Sequence, residues 1–425
     1  MGNDNRSSVT NFGKGWEVIF YCMGIFWFYV GMVNDGSNIT APAVAKKLGE
    51  QAGTVLNMNS IAGIVGVLLF IIIGQINRKI GARICSAICT IIAGISYIII
   101  GNSSSLAMYT FAMICIVGSI MSAGYISGGT LVAQWFPKKK GVVMGYTTMG
   151  HNLASALYVP FIAFLVGKFG IEKGVVLPSV IAMILGILGF IFIRNTPQEK
   201  GLNPDNVSDE VYKNEYFTSE IDHDGGWTTI KLLKTKELWL AAITTGCFQI
   251  CSVGVMSQLV VRNMSLGFTQ VQAISIMTVV ACIGVFGSFL IGVFDDKWGT
   301  KKTMIYFGLW YMLALIANVT ETKLGIYLSI FMIGMAIGGS ANFTTSLPAS
   351  IFGRHGFDKV NSVIFPIQGL ITALCFAVNG FVLNLTGNLR YAYMIFAGVA
   401  LFVIILMFFV DEHRFNRDWH VTHKD

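Results

Sequence analysis

Thr147, His151, Ser155 and Tyr158 recur four, eight and eleven residues along the stretch TTMGHNLASALYVPF (147–161), which contains no lysine, arginine or acid. On a helix that spacing places them on one face. A neutral imidazole donates one hydrogen bond and accepts one. It tolerates burial far better than an ammonium group and titrates near physiological pH. His151 therefore reads either as a neutral histidine bonded to a neighbouring helix, or as a proton acceptor or ligand at a cavity. Asp35, in VNDGSNIT (33–40), is the only acid in or near the middle of a long apolar stretch. It reads as a half-exposed acid at a helix end, or as a carboxylate that takes up protons or gates. Tyr125, Gln249 and Asn342 are polar groups in three further apolar stretches, suited to hydrogen bonds with a small molecule or between helices. Trp27 lies in the middle of the first stretch.

No catalytic constellation accompanies these residues. There is no phosphate-binding loop, no dinucleotide fingerprint and no zinc-type Cys/His spacing. The eight cysteines all fall in apolar stretches and read as small polarizable core residues. An enzyme is not expected, and neither a cofactor nor a metal is implied.

The elements that position these groups follow from composition. Of 425 residues, 54% are hydrophobic and only 12% are charged, against about 25% charged in soluble domains. Twelve apolar runs of bilayer-spanning length stand near 16–38, 55–76, 83–101, 106–133, 142–166, 174–193, 238–261, 270–293, 303–320, 325–347, 360–385 and 391–410. The first is too long, and too polar at its end, for a signal peptide, and reads as retained. All 29 lysines and arginines fall between the runs. With the N-terminus inside, 22 lie on the inner side and seven on the outer, as the positive-inside rule requires. Both termini are thus expected in the cytoplasm, in the inner (cell) membrane. The net charge of +7 is a topology signal, and nucleic-acid binding is not expected.

Segment 194–236 is the one long polar connection, and reads as a cytoplasmic linker between six runs (1–193) and six runs with a short tail (237–425). The halves match. GQINRKIGAR (74–83) and GVFDDKWGTK (292–301) stand 218 residues apart, and WFPKKKG (135–141) and IFGRHGFDK (351–359) stand 216 apart. Gly24 and Gly31 answer to Gly246 and Gly254. A near-constant offset implies a duplicated bundle, with a pseudo-two-fold along the membrane normal and a site between the halves. The fold class is therefore an all-α membrane protein, twelve transmembrane helices in two pseudo-symmetric six-helix bundles.

Along its full length the chain resembles the major facilitator superfamily. That family's signature loop is G-x-x-x-D-R/K-x-G-R/K-K/R. The second copy keeps Gly292, Asp296, Lys297, Gly299 and Lys301, whereas the first has Arg78 where the acid belongs. The resemblance implies a gating role for Asp296 and Lys297. It also implies a cavity lined by the first, fourth, seventh and tenth spans, with Tyr125, Gln249, Asn342 and Trp27 as expected substrate contacts. His151, by its polar face, is expected to bind substrate or a proton there, and Asp35, as the one acid near mid-span, to couple protons.

WFPKKKG and NTPQEKGLNPDN (195–206) are similar to the oxalate–formate antiporter and monocarboxylate transporter branch. The Gly-Pro pair of drug–proton antiporters is absent. The resemblance implies a monomeric secondary carrier of a small organic solute, a monocarboxylate or related organic anion. It would work by alternating access, with proton symport or exchange against a counter-transported solute. A dianion is disfavoured, because no buried cation would balance it. The alternative is a proton-linked exporter of amphipathic compounds, consistent with 12% aromatic residues, 19 methionines and no buried cation.

Overall fold

In the computed structural model, residues 12–215, 226–337, 339–353 and 356–416 are described. Eleven helical stretches among them are long and apolar enough to cross a membrane: Gly13–Asn34, Ala52–Ile80, Ala82–Gly101, Leu106–Trp135, Val142–Gly174, Lys236–Met256, Gln270–Trp298, Thr300–Val319, Lys323–Phe352, Lys359–Thr386 and Arg390–Phe408. A 17-residue apolar helix, Val176–Phe192, holds the sixth place in chain order. Its length is at the short end of what spans a hydrocarbon core. Helix is the outcome because lipid offers no partner for an unpaired backbone group.

The expected run 16–38 does not continue as one helix. The first span stops at Asn34, the chain turns through Asp35–Gly36, and a separate helix runs Ser37–Leu48. The seventh span breaks likewise: Lys236–Met256, a turn at Ser257–Gln258, then Leu259–Ser265. Gly36 is required where the first break occurs, since a β-carbon there would overlap the carbonyl of Gly31 and press on Tyr158.

The two breaks meet. Ser37 Oγ donates to Ser257 O (3.1 Å), and Asn38 Nδ2 donates to Met256 O (2.7 Å). Asn38 Oδ1 accepts from Val260 N (2.8 Å). Beside them the second and eleventh spans cross closely at Gly53 and Gly380, where a β-carbon on either would strike the other's carbonyl oxygen. Small residues allow such contact between helices in lipid. Asn38 Nδ2 to Met277 Sδ (3.9 Å), Asn384 Nδ2 to Thr54 Oγ1 (3.2 Å) and Thr278 Oγ1 to Ala156 O (3.1 Å) complete the set. Among the described residues, the side-chain hydrogen bonds joining the first six spans to the last six thus gather away from the end that carries the linker.

Three helices of the first six contain a wide π-helical turn: Val30–Asn34, Ser122–Gly128 and Ala154–Tyr158. Such turns insert a residue and re-aim the side chains beyond them, and they are frequent at functional sites.

Described residues of the linker contact the first six spans. Asp205 is buried, and its carboxylate accepts from Lys138 N (3.0 Å) and Lys139 N (3.1 Å), so the motifs 135–141 and 195–206 are in contact. Lys200 pairs with Glu17, and Trp135 Nε1 donates to Arg194 O (2.9 Å).

One basic residue departs from the expected loop placement. Arg262 is fully buried (0% exposed), because Asn318 Oδ1 (2.9 Å), Asn388 Oδ1 (3.1 Å) and Glu321 (3.0 Å) satisfy its guanidinium.

Candidate functional site

A cavity of about 520 Å³ lies between the two sets of helices. From the first six spans it is lined by Tyr29, Asn34 and Asp35 (first), Asn59 (second), Tyr125 (fourth), and Thr148, His151, Asn152 and Ser155 (fifth). From the last six come Gln249 and Ser252 (seventh), Ser288 (eighth), Ser340, Asn342 and Thr344 (tenth), and Phe365, Gln368 and Thr372 (eleventh). Methionines 113, 121, 149 and 256, with valines and phenylalanines, supply an apolar remainder. Among the described lining residues Asp35 is the only acid, and no lysine or arginine takes part.

Asp35 sits in the turn that breaks the first span and is 3% exposed. Ser155 Oγ donates to its Oδ2. The serine comes from the π turn of the fifth span, and Asp35 directly follows the π turn of the first. His151 lies one turn nearer the linker end. Its ring meets Phe26 edge-on at 4.8 Å and stands 6.2 Å from Tyr29 and 6.4 Å from Tyr125. Its Nε2 is buried and lacks a hydrogen-bond partner among the described residues, so that nitrogen is not bonded to a neighbouring helix.

Two amides take part in helix contacts while lining the cavity. Gln249 Nε2 donates to Ser340 O (3.2 Å), and Asn342 Nδ2 donates to Ser288 O (3.1 Å). An amide offers two donors and an acceptor oxygen, so each keeps capacity for a ligand. Gln368 Nε2 donates to Thr245 Oγ1. Tyr125 packs on Phe26 (5.1 Å) and Tyr29 (5.7 Å) and reaches Phe365 of the eleventh span (6.0 Å).

Asp35, Tyr125, His151, Gln249 and Asn342 are thus brought together at one cavity. Trp27 is not. Its Nε1 donates to Leu153 O (3.2 Å) and its ring packs on Phe28 and Tyr158, because a residue two positions before Tyr29 faces the fifth span. The expected stripe on the fifth helix also holds only in part. Thr147 is buried with Oγ1 turned to Met144 O (3.0 Å), and Tyr158 packs under the first span beside Gly31 and Gly36. The π turn explains Tyr158. One inserted residue rotates later side chains by about 100°, which removes the eleventh position from the face.

Asp296 and Lys297 lie far from the cavity, exposed at the linker end of the eighth span. Lys301, the last residue of the second signature-loop copy, donates through Nζ to Val410 O (2.7 Å). The neighbouring Asp295 is half-buried beside Thr300 and Ser346. Sequence reasoning missed Tyr29, Phe365 and Asn152. Aromatic residues in apolar runs carry no polar signal, whereas Asn152 was visible next to His151. Among the described residues, no group of three or more His, Cys, Asp or Glu side chains is placed to hold a metal ion.

Comparison with known proteins agrees with this architecture. The family model of the Major Facilitator Superfamily matches residues 19–374. The uncharacterized MFS-type transporter YhjX of Escherichia coli (strain K12) is 21% identical over 297 residues, 69% of this chain and 70% of that protein. The oxalate:formate antiporter of Oxalobacter formigenes is 25% identical, covering 57% of this chain and 55% of its own. The hexose-6-phosphate:phosphate antiporter of Salmonella typhimurium (strain LT2) is 25% identical, with 38% of its length covered. Among solved structures, the bacterial homolog of the human lysosomal transporter Spinster, inward-facing and occupied, aligns over 93% of this chain and 96% of its own at TM-score 0.65 and 12% identity. A mutant of the nucleoside transporter NupG aligns over 93% and 99% at TM-score 0.67 and 14% identity. These two likenesses speak to the fold. Membrane-length helices, a cavity between two sets of six and a family match over most of the chain lead to one statement: the chain belongs to the Major Facilitator Superfamily, and is a multi-pass membrane transporter rather than an enzyme.

Proposed function

We propose that the chain carries a small monocarboxylate or related organic anion by alternating access, with proton symport or exchange. The observation that carries this reading is the chemistry of the cavity: its described lining residues include one carboxylate, one imidazole and several amides, and no lysine or arginine. A monoanion entering such a site needs a proton beside it, since an unbalanced buried charge is costly. His151, at the wall, is suited to hold that proton, and Asp35 to couple its movement to the helices. Tyr125, Gln249 and Asn342 supply neutral hydrogen bonds. Relatives named for oxalate, formate and phosphate esters support an anionic substrate. The lack of lysine and arginine among the described lining residues argues against a dianion here.

The two sets of six helices act as the moving bodies, joined by segment 194–236, with that linker and both termini in the cytoplasm. The cavity is then closed toward the outside by Ser37, Asn38 and the Gly53–Gly380 crossing. Asp296 and Lys297 are exposed, as befits a latch that engages when the inner side closes. A single cysteine at Glu210, an exposed linker position, tests the orientation: in intact cells an impermeant thiol reagent should leave it unlabelled. The apolar wall also favours a second reading, export of amphipathic compounds.

Uptake of labelled formate, acetate, lactate and oxalate into proteoliposomes under an imposed pH gradient decides between them. Gradient-dependent uptake of a monocarboxylate, with oxalate excluded, is expected. Uptake of none of the acids together with efflux of a hydrophobic dye would reject the anion reading.

A further inference from the structure

We propose that Ser155 is the positioning residue that links the charge on Asp35 to the joint between the first and fifth spans. The proposal rests on the reading of Asp35 as the coupling carboxylate. Ser155 is 3% exposed, in the π turn Ala154–Tyr158. Its Oγ donates to Asp35 Oδ2 and also lies 3.4 Å from the carbonyl oxygen of His151.

A hydroxyl has a single hydrogen and can fully satisfy one acceptor at a time. An ionised carboxylate wins that competition, because charge-assisted hydrogen bonds are the stronger ones. When Asp35 takes up a hydrated proton that reaches the cavity, leaving water behind, its carboxyl O–H becomes a donor and points at Ser155 Oγ. The serine hydrogen then turns to the His151 carbonyl. No bond within Ser155 breaks, and the proton leaves by the carboxyl that accepted it. The hydroxyl only reports which state Asp35 is in, to the backbone of the helix that carries His151.

Other titratable groups around Asp35 are Tyr29 on its own span, Tyr125 on the fourth, and His151 and Tyr158 on the fifth. The charged residues on the packed elements do not line the cavity: Glu17 on the first span, Lys46 and Lys47 on the helix after the break, Lys140 just before the fifth span and Lys168, Glu172 and Lys173 at its far end, Asp295, Asp296 and Lys297 on the eighth span, and Arg262, satisfied elsewhere. Ser155 is therefore the side chain that answers directly to this carboxylate. The same turn carries the far-end closure. Ser37 and Asn38, two and three residues after Asp35, hold Ser257, Met256 and Val260. A change of hydrogen-bond direction at Asp35–Ser155 is thus felt where the first and seventh spans meet.

The test is infrared difference spectroscopy of the full-length protein in lipid nanodiscs during a pH titration, following the C=O stretch of a protonated carboxyl. Asp35→Asn assigns the band by removing it. In Ser155→Ala the midpoint should move by about one pH unit, as expected when a carboxylate loses a charge-assisted donor. The amide carbonyl change that accompanies it in the wild type should disappear. Ser155→Thr, which keeps the hydroxyl, should restore both. If Ser155→Ala does not reach the membrane, Ser155→Cys, a weaker donor of similar size, should show a smaller shift. An Asp35 band that titrates identically in wild type and in these donor-weakened variants would overturn the role of Ser155 and leave the coupling reading standing. No titrating Asp35 band in the wild type would overturn both.

Discussion

The first six spans and the last six build similar scaffolds and carry different chemistry. The likeness is clearest at the far end. Lys47, after the broken first span, donates to the final carbonyl of the third span, Gly101 (2.8 Å), and pairs with Glu172 (2.7 Å). Arg262, after the broken seventh span, binds Asn318 near the end of the ninth, and Asn388 beyond the eleventh. Cations at helix C-termini are favoured by the helix dipole. The cavity shows no such pairing. Asp35, His151 and three widened turns come from the first half, and amides bonded to backbone carbonyls come from the second. Structural needs repeat because each half must hold its own helices together. Charge-bearing groups in the cavity need not repeat, because they do not hold either half together.

The sharpest way to break this comparison is at the staples. Arg262→Met should destabilise the protein by about 1–3 kcal/mol, as expected when the acceptors of Asn318 and Asn388 around this buried guanidinium lose their donor, while Glu321, 35% exposed, stays solvated. Thermal unfolding in nanodiscs measures it, and a loss under about 1 kcal/mol would show that the buried guanidinium is not the anchor described. Asp35→Asn should abolish the effect of an imposed pH gradient on uptake, at least about tenfold, the change that roughly 1.4 kcal/mol brings. Retained gradient dependence would move coupling away from the first half.

His151→Gln keeps size and hydrogen bonding but cannot charge. It should flatten the pH profile of uptake, and an unchanged profile with normal transport would make His151 a packing residue. Gln249→Leu should weaken substrate binding by about tenfold, the value of one good hydrogen bond, with the pH profile intact. A shifted profile there would spoil the division between a titrating half and a neutral half. The smallest effect belongs to Lys47→Met. Its side chain is 22% exposed and that of Glu172 59%, so a loss below about 1 kcal/mol is expected. A loss as large as that of Arg262→Met would mean the two staples are equivalent after all.

Apolar runs of membrane length were legible in the sequence because lipid imposes one solution on each of them, a helix. The same holds for the polar groups at Asp35, His151, Gln249 and Asn342, whose cost in lipid requires a cavity or a partner. Tertiary structure decided the rest. Hydropathy did not mark the breaks at Asp35–Gly36 and Ser257–Gln258, because a window long enough to find a span averages the few polar residues at each turn with the apolar residues around them. Trp27 and Tyr158 left the site because helix rotation and a π turn, neither encoded in residue spacing, set which face meets the cavity. Arg262 was placed in a loop by its charge, and only its partners from positions 318, 321 and 388 could make its burial tolerable. Periodicity reports what one helix requires of its surroundings. Which neighbour meets that requirement is settled by packing between segments far apart in the chain.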